Sequence, residues 1–178
     1  MNLAATAPIW LFGLLALTLI AAAVQDMRQL RISNILVLAV AILAIVAMGV
    51  VGPSWALWQN GALMVALLAV GTAAFAAGLF GGGDVKMIAA LGLWVSLTGA
   101  VRLLATIFIA GGILALIFII VRQLLRKPGS GKVKGQLPYG VAIAAGALLA
   151  FQMQRWEAEP KLPPIPVVPL PQSAAAPQ

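Results

Sequence analysis

The chain has 178 residues, of which 63% are hydrophobic and only 8% are charged, with a mean hydropathy of +1.09. An ordinary soluble domain is about a quarter charged, so this composition excludes a soluble globule and makes the chain an integral membrane protein. The net charge of +7 does not mark a nucleic-acid surface, because the basic residues collect in a few short loops, and the lack of any cysteine or histidine excludes disulfides, thiol nucleophiles, imidazole bases and Cys/His metal sites.

A helix needs roughly 20 apolar residues to cross a bilayer. Six stretches qualify or come close. The first runs from about Pro8 to Val24; it lacks a basic leader region and a clear small-residue cleavage site, so it reads as a retained span. The second is Ile35 to Val51, and the third Trp55 to Leu79 with Gly61 and Gly71 inside it. The fourth, Val85 to Leu97, is short. The fifth is Val101 to Val121 and the sixth Tyr139 to Met153. The fold class expected is therefore all-α, a polytopic membrane protein with six transmembrane helices. The expected organisation is a membrane domain over residues 1–156 and a Pro-rich external tail over 157–178, extended and unfolded.

Loop charge sets the orientation. If the spans alternate, Arg28, Arg31, Lys86, Arg122, Arg126, Lys127, Lys132 and Lys134 share one side, and only Arg102, Arg155 and Lys161 fall on the other. The positive-inside rule then places the N-terminus outside and the basic loops in the cytoplasm. Small residues are dense in the spans, as in Ala21-Ala22-Ala23, Gly111-Gly112 and Ala144-Ala145-Gly146-Ala147, and permit close helix packing where lipid supplies no hydrophobic drive. Trp10, Trp55, Trp58, Trp94 and Trp156 mostly stand near span ends, as an interfacial belt requires. The segment Lys127-Pro128-Gly129-Ser130-Gly131-Lys132 reads as a flexible basic loop.

The acids are few: Asp26, Asp84, Glu157 and Glu159. Asp26 ends the first apolar stretch. Asp84 follows Gly81-Gly82-Gly83 and opens the fourth. On the orientation above, both lie at the cytoplasmic end of the bundle. A carboxylate at a membrane edge is costly unless water or a partner receives it, so each is a functional candidate. Plain structural roles exist too. Asp84 suits a helix N-cap, Ser33 or Asn34 suits the cap of the second span, and Arg28, Arg31 and Asn34 suit a polar turn. Lys86 suits a cytoplasmic anchor whose charge also favours an ionised Asp84. Together the aspartates fit a dyad that shares one proton, one carboxylate taking a proton from water while the other donates to a carbonyl. That chemistry needs no His, Cys, metal or cofactor.

At these residues the chain resembles the type IV prepilin peptidases, which are GxGD intramembrane aspartyl proteases. The resemblance rests on Gly81-Gly82-Gly83-Asp84 with Lys86, on Asp26 with Arg28, Ile32 and Asn34, and on Leu137-Pro138-Tyr139-Gly140-Val141-Ala142 at the final span; it covers residues 8–153. It implies cleavage of a basic leader from prepilin or pseudopilin substrates at the cytoplasmic face of a bacterial inner membrane. It makes Asp26 and Asp84 catalytic, with Gly81 and Gly83 shaping the loop that admits substrate. The missing cysteines and the short segment before the first span match the short, Flp-pilus type form without the methyltransferase domain. Ser33 stands where the family typically has Pro. The competing readings are an ion or proton transporter using both acids as a relay, and a noncatalytic scaffold of a secretion complex. A relay would spread acids through the membrane depth, and a scaffold needs no matched pair.

Overall fold

The computed structural model describes residues 1–124 and 138–158, and these are helical apart from turns. The elements are α1 (Leu3–Thr6), α2 (Ile9–Gln29), α3 (Asn34–Val51), α4 (Leu57–Ala76), α5 (Gly82–Gly92), α6 (Leu97–Leu124) and α7 (Tyr139–Ala158). The segment from Lys127 to Lys132, Leu137 and the Pro-rich tail from Pro160 onward lie outside the described residues. The helical course of α7 to Ala158 passes the expected domain edge at 156.

A helix stands at each of the six expected stretches, but among the described residues only α2, α3, α4 and α6 are both long and apolar enough to cross a membrane. With 11 residues, α5 is roughly 16 Å long, about half the hydrocarbon thickness. The 20-residue α7 ends in the polar run Gln152-Met153-Gln154-Arg155-Trp156-Glu157, and its remaining length is rich in Ala and Gly. Those small residues serve packing. Gly140, Ala142, Ile143, Ala144, Gly146, Ala147, Ala150 and Phe151 are buried, and α7 lies against α1, α2, α5 and α6. It is the centre of the bundle, and α5 is sandwiched between α3, α4 and α7.

The tightest crossing is α6 on α7. A Cβ on Gly146 would sit 2.5 Å from Ile107 Cα and 2.7 Å from its nitrogen. Backbone atoms cannot yield as a side chain can, so we expect Gly146→Ala to force the helices apart. The cost should be about 1–3 kcal/mol, the usual range for overpacking, read as a lowered melting temperature in detergent. An unchanged melting temperature would contradict the contact.

One sequence expectation needs correction. Trp94 is not interfacial: it is fully buried, its Nε1–H donates to the Val40 carbonyl at 3.1 Å, and it lies beside Phe151. An indole with its polar tip satisfied inside the protein has no need of the headgroup layer. The other tryptophans are exposed: Trp10, Trp55, Trp58 and Trp156. The α1 helix drew no sequence expectation, because it has no period long enough to read. Its Leu3 and Ala4 are fully buried, and the Ala4 N–H donates to the Trp94 carbonyl at 2.8 Å. It closes the end of the bundle opposite the aspartates, where Asn2 donates to Gln154 and Arg155 donates to the Ala4 and Ala7 carbonyls. Arg102 and Glu157 form an exposed ion pair at that end, of a kind that contributes little to stability.

Candidate active site

The first aspartate lies within a helix, not in the turn after it. No Gly or Pro interrupts Gln25-Asp26-Met27-Arg28-Gln29, so α2 runs past the apolar stretch and carries Asp26 into its last turn. The helix stops at Leu30, whose φ of 53° is left-handed and whose N–H donates to the Asp26 carbonyl at 2.8 Å. A left-handed C-cap ends a helix sharply, at a steric cost to any residue other than glycine. The chain then turns at once into α3. Ser33 caps that helix by accepting from the Ile35 N–H at 3.1 Å, and the Ser33 N–H donates to Gln25 Oε1 at 3.0 Å. Ser33 thus fills the capping role that sequence left open between it and Asn34.

The Asp26 side chain is 5% exposed. Its Oδ2 accepts the Gly140 N–H at 2.6 Å, at the start of α7. Free N–H groups and the positive end of the helix dipole converge there. The fit leaves no room for a side chain, since a Cβ on Gly140 would lie 2.9 Å from both Asp26 Cβ and Oδ2.

Asp84 is half-buried and sits in the first turn of α5. It is not the N-cap; Gly81 holds that position. Asp84 instead reaches back over Gly81, where a Cβ would stand 2.8 Å from Oδ2. The glycines before Asp84 have ordinary negative φ, so their use is close approach and not backbone freedom. Gly83 shows this best. A Cβ there would lie 3.2 Å from Ile32 Cβ and 3.3 Å from the Ile32 backbone nitrogen and oxygen. The start of α5 is therefore pressed against the turn that follows Asp26. Lys86 adds a second tie, donating to Asn34 Oδ1 at 3.1 Å. It is engaged there and makes no ion pair with Asp84 among the described residues.

These contacts bring both aspartates to one end of the bundle. Asp84 precedes the apolar part of its helix. Its burial, and next the nearby Asp26 carboxylate, push its carboxyl up to about 6, while the Gly81 N–H pulls the other way. The arrangement is asymmetric. One acid is buried and held by a helix N-terminus, and the other is partly open. Among the described residues no three of His, Cys, Asp and Glu cluster as a metal site. An open groove of about 410 Å³ between α2 and α3, lined by Val24, Arg28, Gln29 and Leu36 among others, contains neither aspartate.

Of the residues singled out in sequence, Asp26, Asp84, Gly81, Gly83 and Lys86 all lie in this one region. Gly140 was visible only as part of a terminal signature without a role. A Gly in the first turn of a small-residue helix, just after Pro138 and Tyr139, was the available signal.

Residues 13–120, more than half of the chain, match the model of the type IV leader peptidase family. The match includes both aspartates and ends before α7. No curated protein and no solved structure matches.

Proposed function

The chain belongs to the type IV leader peptidase family, and we propose that it is an intramembrane aspartyl endopeptidase that cuts the basic leader from prepilin or pseudopilin substrates. Membership makes it a membrane peptidase; the dyad, the substrate and the place are our reading. The observation that carries it is the convergence of Asp26 and Asp84 at one end of the bundle in unequal surroundings. A proton relay across the membrane would need acids at several depths, and the apolar middle of the described helices holds none.

In this mechanism Asp26 is the base. The Gly140 N–H and the α7 dipole offset part of the cost of burying its charge. Asp84 keeps the proton. A water between them gives a proton to Asp26 as its oxygen attacks the scissile carbonyl carbon, and the Asp84 proton passes to the carbonyl oxygen. The tetrahedral intermediate collapses, the C–N bond breaks, the proton held by Asp26 goes to the leaving amine, and one hydroxyl of the former gem-diol returns its proton to Asp84. The products are a free carboxyl and a free amine, with no acyl-enzyme. The loop charges support a cut at the cytoplasmic face, since Arg and Lys favour that side, and the family resemblance supports a bacterial inner membrane.

The test is cleavage by the purified protein in liposomes of a substrate with a basic leader before an apolar helix. A single cut at the junction is expected; no cut by correctly inserted protein would overturn the reading. The pH profile is a separate prediction. Asp84 is protonated below about 6 and ionised above it, and the working form needs that proton. kcat/KM should therefore fall as pH rises through about 6. A rate still rising from pH 6 to 8 would contradict the assignment of Asp84 as the acid.

A further inference from the structure

The mechanism requires two carboxylates held in register, yet they stand on different helices. A path of contacts runs from one to the other. Asp26 Oδ2 accepts the Gly140 N–H at 2.6 Å. Next to Gly140 is Tyr139, whose ring meets the edge of Phe80 with centroids 5.6 Å apart and planes at 78°. Next to Phe80 is Gly81, against which the Asp84 carboxylate rests. Each ring is thus one residue from a group that touches a carboxylate. The pair is braced by α6 from outside. Phe108 packs on Phe80 with centroids 6.3 Å apart. The Tyr139 hydroxyl lies over Gly111, where a Cβ would be 2.8 Å away.

We propose that Phe80 and Tyr139 are a positioning pair, their edge-to-face contact setting the separation of Asp26 and Asp84. Neither ring needs to touch substrate for this. Aromatic rings suit the task because they are rigid and their edge-to-face geometry is directional. A path through flexible aliphatic chains would let the two loops drift. The inference rests on the dyad reading, and it predicts that the same pair governs how strongly one acid feels the other. Among the described residues, the titratable groups that act on or feel the Asp84 carboxylate are Asp26 on α2 and Tyr139 on α7, while the Lys86 ammonium on α5 is turned to Asn34.

Two measurements on the full chain in liposomes test the pair. In steady-state cleavage, Phe80→Ala should lower kcat by roughly 10- to 100-fold, as small misplacements of reacting groups do, with KM little changed. Phe80→Tyr, which keeps the ring, should restore most of the rate. In a substrate-free carboxyl titration by infrared spectroscopy, Phe80→Ala should move the Asp84 midpoint down, because Asp26 is no longer held near it. In an Asp26→Asn background the same replacement should leave the midpoint in place. An unchanged kcat, a loss confined to KM, or a midpoint shift that persists in the Asp26→Asn background would each overturn the proposal. Should Phe80→Ala fail to insert, Tyr139→Leu carries the same tests. The titration needs no substrate, so it judges the pair even if the dyad proves not to hydrolyse peptide. That second failure would appear separately, as cleavage surviving Asp84→Asn.

Discussion

Asp84→Asn should leave the protein folded in the membrane and lower cleavage by about 10³-fold or more, the scale of a lost general acid in a coupled pair. The amide keeps the size of the carboxyl and its oxygen can still face the Gly81 N–H, so the first turn of α5 loses little. Asp84 holds its proton up to about pH 6, so below that pH a neutral group replaces a neutral group. What disappears is the acidic proton destined for the scissile carbonyl. Product yield by mass spectrometry, beside an unshifted melting curve, checks both halves of the expectation. A variant that loses stability along with activity would point to a structural role for the carboxyl.

Gly140→Ala should damage the site from the other side. The added Cβ would stand 2.9 Å from Asp26 Cβ and Oδ2 and 3.0 Å from Cγ. Asp26 is almost wholly buried and cannot swing away into solvent. Either α7 moves off α2 or the carboxylate rotates, and the 2.6 Å bond from the Gly140 N–H is lost in both cases. A buried acid without its donor prefers its neutral form, which is useless as a base. We expect kcat to fall about 10²-fold and stability to drop by about 1–3 kcal/mol from overpacking. Wild-type kinetics in Gly140→Ala would show that Asp26 does not work from this position.

Much of this was legible because membrane chains have few polar residues, so each one carries information. The isolated acids, the glycines before Asp84 and the Ala-rich spans are visible in the residue string. Apolar content places a helix at all six expected stretches, and length with apolar content marks α2, α3, α4 and α6 as able to cross a membrane. The α5 and α7 helices do not meet that measure and are buried in protein, where small residues and short length are acceptable. The end of α2 was misjudged for a related reason. Hydropathy drops at Gln25, but nothing there breaks a helix until the left-handed turn at Leu30. The Asp26 partner lies 114 residues away, and no local pattern announces a backbone N–H at that distance. The role of Gly81 and Gly83 could not be separated from backbone freedom until Ile32 was seen against Gly83. Trp94 looked interfacial because it stands near a helix end, but that end lies under α1.

The most direct test of the central claim, that Asp26 and Asp84 act as one unit, is a double-substitution cycle in the liposome cleavage assay. Asp26→Asn, Asp84→Asn and the double variant should all fall to the same residual rate, about 10³-fold or more below wild type, because groups that act together are lost together. Losses that multiply in the double variant, or a single variant that still cleaves at a substantial rate, would contradict a shared water-activating dyad.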